Sequence, residues 1–334
     1  MGLTIIYAII IFCLLIFVHE FGHFAVAKAV DIRVNEFSLG MGPALLHFSK
    51  GETQYSFRIL PIGGYVKMEG EDEDSDDPRA FNRKPSWQRG LVVVAGSVMN
   101  LFTTVVIIMI IALVVGLTTN IVGEVSPGYP AEEAGILPGD QILKINDTKI
   151  EDWNSVTTTL AENTEDQATI LVERNGKPLT LISNVTTDDT GRRIIGITSK
   201  MEHSFIKSIK VGFVSTWLWT KEMINYLVLL FTGGGSVHDL VGPVGIVSII
   251  NEQAKMGILY IANLTALISL NLGIVNLLPF PALDGGRLMF LGIRQFSGKI
   301  ITDEIEAKIH FAGILLLFGL MIYLVVQDVD RFII

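Results

Sequence analysis

Four stretches of this chain carry no formal charge: residues 1–18, 91–123, 256–283 and 309–327. A helix crosses bilayer hydrocarbon with about 20 apolar residues, and each stretch reaches or nears that length. No water satisfies the backbone in hydrocarbon, so a lipid-exposed run of this kind must be helical. Charge is correspondingly thin, at 18% of residues against about 25% in an ordinary soluble domain. A soluble enzyme is excluded. So is a nucleic-acid-binding protein, because a formal net charge of −9 offers phosphate no basic face. The single Cys13 leaves no intramolecular disulfide and no cysteine-based zinc site. No Lys or Arg precedes the first block and no small-residue cleavage site follows it, so it reads as a retained helix and not a signal peptide.

Basic residues orient the spans, since Lys and Arg in short flanking loops mark the cytoplasmic side. Lys28, Arg33, Arg79, Arg83, Lys84 and Arg89 lie between the first two blocks, and Arg287, Arg294, Lys299 and Lys308 between the last two. Four spans then place both termini and the long 118–256 region outside, with the 28–90 and 287–308 loops inside. Residues 205–232 are apolar but interrupted by Lys207, Lys210, Lys221 and Glu222, which reads as an amphipathic helix on the outer membrane surface.

The first block ends in HEFGH, residues 19–23. On a helix His19 and His23 project from one face within reach of one metal ion. Glu20, beside the first ligand, is placed to take a proton from metal-bound water, whose pKa zinc lowers to about 7. Three ionisable groups at membrane depth are expensive and functional by default. A hydrolytic zinc needs a third protein ligand, for which His310 and Asp284 are available. Depth favours Asp284. At 1.5 Å per residue the first helix reaches His19 about 24 Å from its outer end, and the third reaches Leu278 after about 30 Å. Pro279 and Pro281 then break the helix, which is tolerated there only where backbone is buried or lines a cavity. Asn263 and Asn271 suit interhelical hydrogen bonding and function equally. Asn276, three residues before the break, suits a donor to a peptide carbonyl or developing oxyanion.

HEFGH in a first span with NLLPFPALDGG ending a later one closely resembles the site-2 protease family of intramembrane zinc metalloproteases, in its bacterial RseP and RasP branch. FSLGMGP at 37–43, GGYVKMEGE at 63–71 and GPVGI at 242–246 match as well. The resemblance implies Zn2+ held by His19, His23 and Asp284, Glu20 as catalytic base, and Asn276 and Asn271 holding an unwound substrate. It implies a multi-pass protein of the bacterial inner membrane, with the active site near the cytoplasmic side. Its substrates would be single-span proteins already trimmed outside the cell, such as anti-sigma factors, and signal-peptide remnants.

Between Asn35 and Met68 the stretches LLHF, QYSFRIL and YVKM read as strands, with turn signals at 40–43 and 49–51. An edge of such a sheet could take up an extended substrate by strand addition, as the family is believed to do with a membrane-associated β-hairpin. His47 reads as a surface residue and the acidic run at 71–77 as a solvated loop. Residues 120–198 resemble a PDZ domain: IVGEV, AGILPGD, a helical WNSVTTTLAE and a hairpin turning at Asn175-Gly176. Such a domain would contact the trimmed substrate end or filter substrates by size. His203 reads as a helix start and His238-Asp239 as a capping pair.

The expected architecture is a polytopic α-helical membrane protein with four transmembrane helices (1–27, 91–118, 257–286 and 309–334). A cytoplasmic region with a membrane-associated β-hairpin fills 28–90, and one extracytoplasmic α+β PDZ domain fills 119–200. An amphipathic helix with a Gly-rich connection takes 201–256, and 287–308 is a cytoplasmic loop. The competing function is a metal transporter or sensor with a PDZ adaptor, which needs metal flux and has no use for Glu20.

Overall fold

The computed structural model describes residues 2–71, 73, 75–297 and 302–332. Asp72 and Asp74 of the acidic run and Lys299 of the basic loop lie outside the described residues. In chain order the elements begin α1 (Gly2–Ala29), β1 (Val34–Lys50), β2 (Thr53–Met68), α2 (Ser86–Val115), β3 (Leu117–Val125), α3 (Pro130–Glu133), β4 (Gln141–Ile145) and β5 (Thr148–Lys149). They continue α4 (Trp153–Glu162), β6 (Gln167–Arg174), β7 (Lys177–Asn184), β8 (Thr186–Thr187), β9 (Arg193–Ile194) and β10 (Ile197–Glu202). The last are α5 (Phe205–Phe231), α6 (Pro243–Met256), α7 (Ile258–Asn276), α8 (Asp284–Ser297) and α9 (Asp303–Phe332). Two compact units result, residues 1–109 with 211–334, and residues 110–210.

Among the described residues, four helices are long and apolar enough to cross a membrane: Leu3–Ala29, Ser86–Val115, Ile258–Asn276 and Glu304–Phe332. Lipid is as apolar as leucine, so burying side chains between them yields little, and close packing and hydrogen bonds hold such helices together. Both are present. A Cβ on Gly22 of α1 would meet the Ala95 backbone of α2, and one on Gly273 of α7 would lie 3.0 Å from the Ser97 carbonyl oxygen. Ser269 Oγ donates to the Asn100 carbonyl at 2.8 Å, and Thr104 Oγ1 to the Ala266 carbonyl at 3.1 Å. Bonds of this kind average about 0.6 kcal/mol in a membrane protein. Ala8, Ile11 and Leu15 of α1 pack with Ile250 of α6 and Ile261 of α7. The GPVGI segment opens α6, where Asp328 of α9 accepts from the backbone N–H of Gly242 and Gly245 at 3.2 and 2.8 Å. A buried carboxylate thus caps donors that no intrahelical carbonyl can reach.

Strands β1 and β2 form one antiparallel ribbon that folds back on itself. Phe37 pairs with Val66 on one side and with Tyr55 on the other, and Leu39 with Gly64 and Phe57. The segments therefore lie in the order 64–68, 34–39, 54–58, 44–50, with 64–68 at an edge among the described pairings. Gly40 and Gly42, at φ +89° and +84°, supply the fold-back where most residues would clash. Met41, Leu45, Leu46, Phe48, Phe57, Ile59 and Leu60 of the ribbon are exposed.

The third apolar block breaks at its prolines, as expected: α7 stops at Asn276, residues 277–283 form turns, and a new helix, not expected from the sequence, starts at Asp284. Pro279 and Pro281 cannot continue the ladder. The 287–308 connection holds helix α8, whose Phe290 is buried. Its apolar residues alternate with Arg287 and Arg294, and two glycines at its start disguise the helical period.

The unit 110–210 is a sheet in the order β10-β3-β4-β6-β7. Val122, Ile142, Ile145, Ile170 and Val172 of its strands pack with Val156 and Leu160 of α4 in its core. Asn175 and Gly176 join β6 to β7 at φ +54° and +75°, the backbone of a tight hairpin turn. Asp140 is buried and holds Arg174 through two hydrogen bonds of 2.7 Å, while accepting from the Leu137 N–H at 2.9 Å. Burial pushes the Asp140 carboxyl up, but the guanidinium and the Leu137 amide outweigh it and hold the group below its ordinary value. The folded value being the lower, this stabilisation is complete above the unfolded pKa of about 3.9 and fades as pH falls through the folded value. Asp140→Ala is expected to remove about 3 kcal/mol of local stability at neutral pH and much less in acid. Hydrogen exchange of residues 110–210 in the full chain, at two pH values, measures both.

Candidate active site

Helix α1 carries His19 and His23 four residues apart, so both imidazoles leave the same face. Their Nε2 atoms lie 3.2 Å from each other. Asp284, the first residue of α8, brings Oδ2 to 3.2 Å from His19 Nε2 and 3.4 Å from His23 Nε2. Four ligands at about 2.05 Å around a tetrahedral zinc stand about 3.3 Å apart. The three donor atoms already have that spacing. Among the described residues, the two histidine nitrogens are polar neighbours of the buried Asp284 Oδ2, an arrangement suited to a shared cation. Donor chemistry and spacing both fit zinc.

Three features of α2 and the ribbon shape the site; the sequence points to a sheet edge in the ribbon but not to Gly96 or Val92 of α2. Gly96 of α2 lies against the two rings: a Cβ there would land on His23 Nε2 and 2.8 Å from His19 Nε2. The Val92 carbonyl, one turn earlier, lies 2.8 Å from His23 Nδ1. A carbonyl only accepts, so Nδ1 carries the hydrogen and Nε2 keeps its lone pair. Gly64 of the ribbon edge runs beside Glu20, where a Cβ would lie 3.0 Å from Glu20 Cγ. Gly96 and Asn100 four residues apart within an otherwise apolar block are a detectable signal. Which helix they face is not.

The remaining candidates separate. Asn276, the last residue of α7, places Nδ2 at 3.4 Å from His19 Nε2 and belongs to the cluster. Asn271, five residues earlier, is turned about 140° around the helix from it. His310, the competing third ligand, faces backbone instead: its Nδ1 accepts from the Ala282 N–H at 2.9 Å. Ala282 sits at φ +78°, a strained conformation for a residue with a Cβ, so His310 braces the turn that delivers Asp284. His47 is exposed, His203 Nδ1 lies 2.9 Å from the Leu113 carbonyl, and His238 is exposed in a short 3-10 turn.

Comparison with known proteins identifies the family. The family described as peptidase family M50 matches residues 7–320. A Clostridium acetobutylicum protein named as a zinc metalloprotease is 39% identical over 330 residues, covering 98% of this chain and 97% of that one. The zinc metalloprotease RasP of Geobacillus kaustophilus and the regulator of sigma-W protease RasP of Bacillus subtilis are each 31% identical over an alignment of 415 positions, gaps included, covering 98% of both chains. Among solved structures, the PDZ domain of an SdrC-like protein from Listeria monocytogenes is 21% identical with a TM-score of 0.22, covering 25% of this chain and 86% of that one. That likeness is too slight to bear on the fold.

Proposed function

The chain belongs to peptidase family M50 and is a zinc metalloprotease, and on that premise we propose that it hydrolyses peptide bonds inside the membrane segments of single-span proteins. The observation that carries this reading is the convergence of His19, His23 and Asp284 at zinc-ligand spacing on helices built to cross a bilayer. These three residues hold the zinc. When bound, it supplies a Lewis acid and acidifies water enough for a neutral-pH nucleophile.

The chain's own residues do the rest. Glu20 takes the proton of the attacking water on its carboxylate as the water oxygen bonds to the scissile carbonyl carbon. It returns that proton to the amide nitrogen as the C–N bond breaks. Asn276 donates from Nδ2 to the carbonyl oxygen that gains charge. The edge at 64–68, with Gly64 beside Glu20, receives the substrate as an added extended strand. The exposed apolar residues of the ribbon rest in lipid.

The four helices lie in a bacterial cytoplasmic membrane, with both termini and residues 119–200 outside and the site near the cytoplasmic face, a reading supported by the Lys and Arg distribution. Residues 119–200 serve as a PDZ domain. A cavity of about 310 Å³ beside α4, lined by Trp153, Val156, Leu160 and residues 192–197, takes the end of a substrate already trimmed outside. The RasP name, regulator of sigma-W protease, points to anti-sigma factors as one substrate class, with signal-peptide remnants as another.

The test is cleavage of a single-span protein by the purified chain in proteoliposomes, with the product mapped by mass spectrometry. Cleavage within the span, lost on zinc chelation and restored by zinc, is the expected result. Cleavage confined to soluble loops, or indifference to chelation, overturns the reading.

A further inference from the structure

The two zinc-facing histidines are held differently. His23 is fixed by a main-chain carbonyl, whereas His19 turns its Nδ1 toward the side-chain amide of Asn100, with Asn100 Nδ2 at 3.2 Å. Asn100 is fully buried in α2, one turn beyond Gly96, and its main-chain carbonyl is tied to α7 through Ser269. It therefore touches the helix that bears both histidines and the helix that ends in Asn276.

Amide polarity decides what this contact means. With Nδ2 facing the ring, His19 Nδ1 must be the acceptor, and the ring hydrogen goes to Nε2. That hydrogen would then project into the space shared with His23 Nε2 and Asp284 Oδ2, where a metal needs a lone pair. In the same orientation Asn100 Oδ1 is buried without a partner. A half-turn about Cβ–Cγ exchanges two ends of nearly equal size. Oδ1 then accepts from Nδ1–H, and the lone pair moves to Nε2. Ligating histidines are held in this way, with the far ring nitrogen donating to an oxygen.

We propose that Asn100 is the positioning residue for His19: its Oδ1 accepts the Nδ1 hydrogen and so commits Nε2 to the zinc, as the Val92 carbonyl does for His23. This rests on the reading of His19 as a zinc ligand. It also gives an uncharged, fully buried side chain in an apolar span a task that helix packing alone does not require.

The experiment measures zinc affinity by chelator competition on the full chain in nanodiscs, for wild type, Asn100→Leu and Asn100→Asp, with thermal unfolding of the zinc-free forms alongside. Leu has nearly the shape of Asn and no acceptor; Asp keeps the acceptor. The expected result is a 10- to 100-fold weaker zinc affinity for Asn100→Leu at unchanged or higher zinc-free stability, with Asn100→Asp within a few-fold of wild type. Equal affinity in wild type and Asn100→Leu overturns the proposal while leaving the zinc site intact, as does weaker affinity in Asn100→Asp than in Asn100→Leu. Wild-type binding that survives loss of both histidines overturns the zinc-site reading and the proposal with it. If Asn100→Leu does not fold, 15N spectra of histidine-labelled, zinc-free wild type decide: a hydrogen on His19 Nδ1 supports the assignment, and a hydrogen on Nε2 refutes it.

Discussion

Glu20→Gln leaves zinc bound and removes at least about 1,000-fold of the peptidase rate, the range in which general acid–base groups act, or about 4 kcal/mol of barrier. Glutamine keeps the size of the side chain and its place beside the Gly64 edge, but its amide does not take up the proton of the attacking water. Glu20 is not among the converging ligand atoms of His19, His23 and Asp284, so metal content should stay at the wild-type ratio. Initial rates on a membrane-embedded substrate, with zinc measured by elemental analysis on the same samples, read both quantities. Retained turnover would remove Glu20 from the chemistry. Lost zinc would make it part of the metal site instead.

Gly96→Ala is expected to have an equally large effect by the opposite route, losing zinc and activity together. One methyl group is added, in an α2 helix where alanine favours the helical backbone by about 1 kcal/mol, so local propensity predicts a gain in stability. Space predicts otherwise: the new Cβ lands on His23 Nε2 and within 2.8 Å of His19 Nε2. The rings must turn away, the 3.2 Å separation between them is lost, and the third ligand no longer has two partners at tetrahedral spacing. Zinc occupancy and turnover should fall in parallel, while circular dichroism keeps its helical signal. Full zinc occupancy in Gly96→Ala would show that the rings have room which this packing denies them. The contrast between the two variants separates chemistry from coordination.

Much of this site was legible because its signals are local or set by distance along the chain. His19 and His23 are a fixed step apart on any helix, and Asp284 follows a proline-broken span whose length alone brings it to their depth. Four uncharged blocks announced four long apolar helices, and Asn175-Gly176 announced a turn. Less visible was whatever depends on which helix faces which. Gly96, Val92 and Asn100 matter only because α2 packs against α1 at Gly22, and a glycine in an apolar block looks the same whether it admits a neighbouring helix or a metal ligand. His310 was a reasonable ligand by chemistry. Depth along the chain already favours Asp284 over it; the contact of His310 with the Ala282 backbone 28 residues away is one that periodicity does not encode. Helix α8 escaped notice because its opening Gly-Gly pair and its arginines resemble a loop, although its apolar residues recur at helical spacing.

The ribbon edge beside Glu20 has a consequence for selectivity. Residues 64–68 can pair only with a backbone whose own N–H and C=O groups are free, and an intact substrate helix has none to spare. If substrate adds to this edge as proposed, the reactive species is a rare locally melted conformer, and the rate is expected to scale with its population. A proline in place of alanine near the scissile bond lowers the cost of melting by about 3 kcal/mol, and a glycine by about 1 kcal/mol. Those figures correspond to more than a hundredfold and roughly fivefold in population, with no side chain recognised at all. On the proposed strand-addition reading, the protease would discriminate among membrane helices by how readily they come apart.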